Sequence, residues 1–290
     1  MNHSADFSPV RLQRFGSIAV TGADARDFLQ GQLSFDMSRL TPQRAELASC
    51  NSSQGRVQAV PWMIERSDAI VLILPASLVD STSVRLRKYI LRARAKIESG
   101  AGRFEVCDAG GVAAADVAER AHVEREAESF IRWPGVTPRT LMLASSATPH
   151  ESDPAREHAW HLEDIRAGLP QVYPQTHELF VAQMLNLDLL DGISFEKGCY
   201  TGQEIIARTH FRGTVKRRMF RFRAGCAPPL PATRIVADGI HAGDVVDAVA
   251  TAQGCELLAV VSLGQLDSKL ELTETPDSTL ERLELPYEVR

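Results

Sequence analysis

From Lys216 to Val261 the chain reads as a series of short strands, Lys216–Arg223, Arg234–Val236, Gly243–Val249 and Leu257–Val261, broken by glycine and proline turns. Runs of this length bury their apolar faces only by pairing around a common core, which predicts a small β-barrel as a separate C-terminal unit. Upstream the period changes. Ser17–Val20 reads as a strand, Thr21-Gly22 as a turn, and Ala23–Gln32 as a helix with Ala25, Phe28 and Leu29 at helical spacing. Asp24 or Thr21 is placed to cap it. Strands follow at Ala45–Cys50 and Val57–Ile64 around a turn-rich linker, Asn51–Arg56, then Ala69–Leu74 ended by Pro75. A helix is expected over Ala76–Ala93 and a strand over Phe104–Val106; the stretch 109–128 is Ala- and Glu-rich, and loop character is expected in Ser145–Pro154. Helices are expected at Glu157–Ala167, stopped by Gly168 as a left-handed cap, and at Leu179–Asn186. The polar tail from Asp267 is expected to lie over the surface. Interleaved strands and helices without a GxGxxG or Walker A sequence predict an α+β fold, with one region over 1–213 and the barrel over 214–290.

Composition removes several function classes. The net charge of −5 argues against a surface wrapped in nucleic acid. No apolar run approaches the ~20 residues that span a bilayer, and Met1–Arg14 lacks the apolar core of a secretory signal. A cytoplasmic protein is expected. The five cysteines, Cys50, Cys107, Cys199, Cys226 and Cys255, are odd in number and far apart, with no CxxC spacing. That pattern fits free thiols in a reducing compartment, not a disulfide framework or a protein-held iron–sulfur cluster.

Chemistry concentrates in Lys197-Gly198-Cys199-Tyr200-Thr201-Gly202-Gln203-Glu204. Two glycines allow close backbone approach, and a cysteine beside a lysine and just before a helix start would have its thiolate favoured. Spacing alone leaves a second reading open, a buried cysteine that only packs.

The octapeptide matches the K-G-C-[FY]-x-G-Q-E signature of the YgfZ-type folate-binding family at every position. Gln183–Asp188 before it, Ile205–Thr209 after it, Thr21–Ala25 with Phe28–Gln32, and Cys50-Asn51 with Gly55-Arg56 resemble the same family. The resemblance implies kinship with the glycine-cleavage aminomethyltransferase, and so folate-binding α+β domains with a C-terminal barrel. It also implies a departure. Ala59 stands where the aminomethyltransferase has its catalytic aspartate, and Arg166 where it has a folate-facing glutamate. Ordinary aminomethyl transfer is therefore not expected. The family implies instead a tetrahydrofolate-dependent role in making or repairing iron–sulfur clusters of other enzymes, some of which modify tRNA. Folate and iron–sulfur enzymes or their assembly proteins are thus the implied partners. The essential thiol maps to Cys199 and the folate-stacking tryptophan to Trp160, for which an exposed ring is expected. A second aromatic contact falls on Phe15. Lys197 would favour the thiolate, Gly198 and Gly202 would shape the loop with Tyr200, Thr201 and Gln203, and Glu204 or Arg208 would brace it.

The basic run Arg208, Arg212, Lys216, Arg217, Arg218, Arg221 and Arg223 reads first as a solvated strand, with a folate tail, an acidic partner or RNA as functional alternatives. Direct nucleic-acid binding is not expected. His150, His158 and His161 lack a further ligand at sequence level, so no metal site is expected. Two competing functions stand beside the folate-binding reading: a one-carbon transferase or demethylase, and an RNA-binding module.

Overall fold

The computed structural model describes residues 8–99, 103–110, 117–147 and 149–289. Residues 111–116 of the Ala- and Glu-rich stretch and Thr148 of the Ser145–Pro154 loop lie outside the described residues. The four α-helices among them are α1 (Ala25–Gln30), α2 (Val79–Lys88), α3 (Pro154–Arg166) and α4 (Gln203–Arg212).

Contacts divide the chain into two compact units, one from Met1–Leu29, Met37–Glu46 and Pro61–Trp160, the other from Gln30–Asp36, Leu47–Val60 and His161–Arg290. The first long strand of the second unit's sheet begins at Arg217. The unit containing it also takes in the Gln30–Asp36 and Leu47–Val60 segments, because the motif loop and α4 pack on those segments.

The first unit is built on antiparallel sheet. One five-stranded sheet runs in the order Val10–Arg11, Phe104–Asp108, Arg139–Ser145, Glu128–Trp133, His122–Arg125. In another, Phe15–Thr21 lies between Ile70–Pro75 and Lys96–Ser99, and Trp62–Glu65 pairs the far side of Ile70–Pro75. Ile70–Pro75 is buried at every position, which is why it reads as an unbroken apolar run rather than an alternating one. Trp62, Trp133, Trp160 and Phe15 cluster in this unit.

In the second unit, a seven-stranded antiparallel, barrel-like sheet runs Thr275–Thr279, Leu270–Leu272, Arg234–Ala237, Ile240–Thr251, Gly254–Ser262, Arg217–Ala224, Glu281–Leu283. Phe220, Phe222, Ile235, Val245, Leu257 and Val261 belong to its core. The tail corrects the sequence reading. Leu270, Leu272 and Leu280 are buried in that same core, so three apolar anchors among polar residues make the tail part of the sheet. The helix expected over Leu179–Asn186 is also corrected: only a single 3-10 turn, Ala182–Leu185, forms, between extended Val181 and left-handed Asn186. Gly168 does close α3 with φ +66°. Glu128–Trp133 and Arg139–Ser145 form two further strands that the sequence reading does not include, the first alternating between half-buried and buried positions. No helix among the described residues is long and apolar enough to cross a membrane.

Candidate functional site

Lys197 anchors the motif. Its side chain is buried, and Nζ donates to the carbonyls of Gln30 (2.6 Å), Leu33 (2.8 Å) and Phe35 (2.8 Å). An ammonium has three protons, so all three are committed to backbone oxygens and none remains for Cys199. The Tyr200 ring lies 4.9 Å from the same nitrogen, a contact that partly replaces lost water. Burial pushes Lys197 down to about 8, with Asp36 pulling the other way. Beyond the lysine, Thr201 N–H donates to Gly31 O at 3.2 Å, and Ser34 Oγ donates to Gly192 O at 2.5 Å. The loop is thus bound on both sides of Cys199 to Gln30–Asp36. Lys197 acts as a clamp in this geometry rather than as a direct hydrogen-bond partner of the thiol.

Cys199 itself is exposed, whereas Cys50, Cys107 and Cys255 are buried and Cys226 is half-buried. The purely packing reading of Cys199 is therefore excluded. Its neighbour Tyr200 is buried, and burial pushes its hydroxyl up; Oη has no hydrogen-bond partner among the described residues.

Gly202 and Gly198 differ. Gly202 precedes α4 with φ +83°, and a Cβ there would stand 2.5 Å from Ser52 O and 3.0 Å from Gly55 Cα. Gly55 is likewise left-handed and packs against Ile205. This contact joins two separated sequence blocks, Cys50–Arg56 and the motif. Gly198 has open space around its Cα, so no steric need for glycine exists there. Gln203 starts α4, and Glu204 and Arg208 are exposed with no ion pair among the described residues, so neither braces Cys199.

The flanking block Gln183–Asp188 is connective. Gln183 Nε2 donates to Ile206 O of α4 (2.7 Å), Asn186 Nδ2 to Met219 O of the barrel strand (2.8 Å), and Asp188 takes a two-pronged pair from Arg218 (2.6 and 2.9 Å). The arginines of the basic run that lie on the Arg217–Ala224 strand are neutralised in this way, Arg217 by Asp244 at 3.8 Å. Arg221 pairs with Glu256 at 2.9 Å and Arg223 with Glu281 at 2.7 Å. Arg218 shares the inward parity of Phe220 because its buried charge is met by half-buried Asp188, which explains the imperfect alternation.

The aromatic residues expected to face folate are inside the first unit. Trp160 is 3% exposed and Phe15 6%. Arg139 covers one face of Trp160 at 4.6 Å, and Trp133 is tilted against it at 6.3 Å. An exposed stacking platform is therefore not what this ring offers. Its edge is different: the indole N–H groups of Trp160 and Trp62 are buried without a hydrogen-bond partner among the described residues. His158 is exposed, and His161 pairs with Asp247 at 2.9 Å, so the two do not converge. Ala59 is fully buried opposite Cys50, with no carboxylate supplied at that position. Arg166 is held by Glu256 (3.0 Å) and Glu163 (3.3 Å), and the Glu256 hydrogen bond raises it further above its ordinary range.

No protein-family model matches the chain. Among curated proteins, "tRNA-modifying protein YgfZ" of Edwardsiella ictaluri is 30% identical, over 99% of this chain and 98% of its own. The chain belongs to the YgfZ family. Proteins of the same name from Escherichia coli (28% identical, 95% of this chain and 92% of theirs) and Colwellia psychrerythraea (25%, 96% and 92%) align over nearly the whole length. Among solved structures, the glycine cleavage system aminomethyltransferase T from Bartonella henselae superposes with a TM-score of 0.65 at 12% identity, covering 96% of this chain and 85% of that one. The α+β aminomethyltransferase fold is thereby shown, and at that identity it speaks for fold alone.

Proposed function

We propose that this YgfZ-family chain binds a reduced folate and supports assembly or repair of iron–sulfur clusters in other enzymes, with Cys199 as its working thiol. The observation that carries the reading is an exposed cysteine on a loop whose two flanks are fixed by the buried Lys197 clamp and by the Gly202–Ser52 contact. A thiol so held is accessible to a partner without being free to wander, which suits a nucleophile or transient ligand. The relatives' name, "tRNA-modifying protein YgfZ", supports a role reaching tRNA through the enzymes served. The aminomethyltransferase fold supports folate as the cofactor class. Folate supplies a carrier for one-carbon units when bound. The fit is through an edge: the unpartnered Trp160 N–H supplies a buried donor for a polar folate atom, while its covered faces leave no room for stacking. Phe15 backs that cluster through its edge-on contact with Trp133 at 6.0 Å.

Titration of the purified protein with tetrahydrofolate, followed by calorimetry, tests the folate half. Saturable binding is expected, weakened roughly fivefold in Trp160→Phe, the loss of about one hydrogen bond. No binding to the folded wild type would sink it. Unchanged affinity in the variant would remove Trp160 from the site.

A further inference from the structure

On the Phe104–Asp108 strand, Glu105 and Cys107 are two residues apart and so share one face of their sheet. Met142 stands opposite Cys107 and Ala144 opposite Glu105 on one neighbouring strand, and Arg11 stands opposite Cys107 on the other. His150 arrives from outside the strands. Its Nδ1 lies 3.4 Å from Glu105 Oε2, and its backbone N–H donates to the same oxygen at 3.0 Å. A carboxylate oxygen, a thiol sulfur and a ring nitrogen then all fall within 4.8 Å of one another. Glu105 is 5% exposed and Cys107 fully buried, while the His150 side chain keeps one side open at 18%.

We infer that Glu105, Cys107 and His150 form a binding site for a single divalent transition-metal ion of the zinc class. The donor set decides the class. Mixed sulfur, nitrogen and oxygen ligands suit zinc-like ions, and three protein ligands leave a fourth position for water. Calcium and magnesium take six or more oxygens, which one carboxylate does not supply. Donors around tetrahedral zinc sit roughly 3.5 Å apart, as bond lengths near 2.0–2.3 Å require, so closing this trio needs only side-chain adjustment. Burial pushes the Cys107 thiol up to about 12, with Glu105 adding to it; a bound cation would displace that proton into solvent. Arg11 is the competing cation, 3.2 Å from Glu105 Oε1 on a side chain 40% exposed and thus able to swing away. Asp108 is not a rival ligand, since Arg156 holds it at 2.7 Å. The site is independent of Cys199 and of the folate reading.

Cobalt(II) is the probe. Reduced full-length protein titrated with cobalt chloride is expected to show a near-ultraviolet thiolate-to-cobalt charge-transfer band saturating at one ion per chain and bleached by zinc. Cys107→Ser should abolish the band, and Cys199→Ser should keep it. His150→Ala, at a half-exposed position, should weaken cobalt binding by about tenfold or more, the loss that even outer-shell groups produce, and it carries the test if Cys107→Ser fails to fold. Arg11→Ala should bind as tightly as wild type or tighter. Absence of a band in the folded wild type overturns the proposal. So does a band lost in Cys199→Ser or Cys226→Ser, or unchanged affinity in His150→Ala.

Discussion

Two glycines four residues apart in the motif have opposite tolerances. Replacing Gly202 by alanine forces a side chain into a left-handed position 2.5 Å from Ser52 O, which should cost about 1–3 kcal/mol. Gly198→Ala meets nothing within 4 Å and should change stability by less than about 0.5 kcal/mol. Urea midpoints of the two variants check this, and equal losses would contradict it. Lys197 makes a pH prediction. Its folded value lies near 8 against an ordinary 10.5. Between those values the unfolded chain holds the proton and the folded chain does not, so this group makes stability rise with pH across that window. Below it both states are protonated and the cost of burying the ammonium is fully present. The stability of wild type relative to Lys197→Met should therefore increase from about pH 8 to 10 in chemical denaturation; a falling difference would show the charged form to be the favoured one.

At the scale of elements, the tail and the basic strand carry the tests. Leu272 is 1% exposed in the barrel core, and Leu272→Ala should cost about 2–5 kcal/mol, where a tail merely draped on the surface would lose almost nothing. On the Arg217–Ala224 strand, Arg218→Ala leaves the half-buried Asp188 carboxylate without its two-pronged partner, at a cost of about 1–3 kcal/mol. Arg223→Ala breaks a pair more than half exposed on both sides, worth about 0–1 kcal/mol. Denaturation of the two variants should separate them clearly. The elements legible beforehand were those with an uninterrupted signal: Ile70–Pro75 as an apolar run, and the barrel strands between glycine and proline turns. The Leu179–Asn186 helix was misread because Gln183 and Asn186 look like ordinary helix-surface residues. Their side-chain hydrogen bonds to Ile206 and Met219, far along the chain, are what decide the local backbone. The tail strands were hidden for a related reason, since three leucines among charges do not announce a core.

Across the whole molecule, the motif could be located from sequence but its mechanics could not. Lys197 and Cys199 are adjacent enough to suggest a lysine activating a thiol. The fold sends that ammonium to carbonyls more than 160 positions upstream, and leaves the thiol outside. Trp160 was placed correctly on a helix, yet its exposure depends on Arg139 and Trp133, which no local pattern joins to it. The Glu105–Cys107–His150 trio was invisible for the same reason: a strand supplies two donors and a distant loop the third. What these observations leave is a YgfZ-family chain with a buried alanine at position 59 and one exposed, well-held thiol at Cys199. The decisive measurement is iron–sulfur enzyme activity in cells lacking their own YgfZ, supplied with the wild-type chain or with Cys199→Ser at equal, folded levels. The wild type should restore activity and the serine variant should not; full rescue by Cys199→Ser would contradict the assignment of Cys199 as the working thiol.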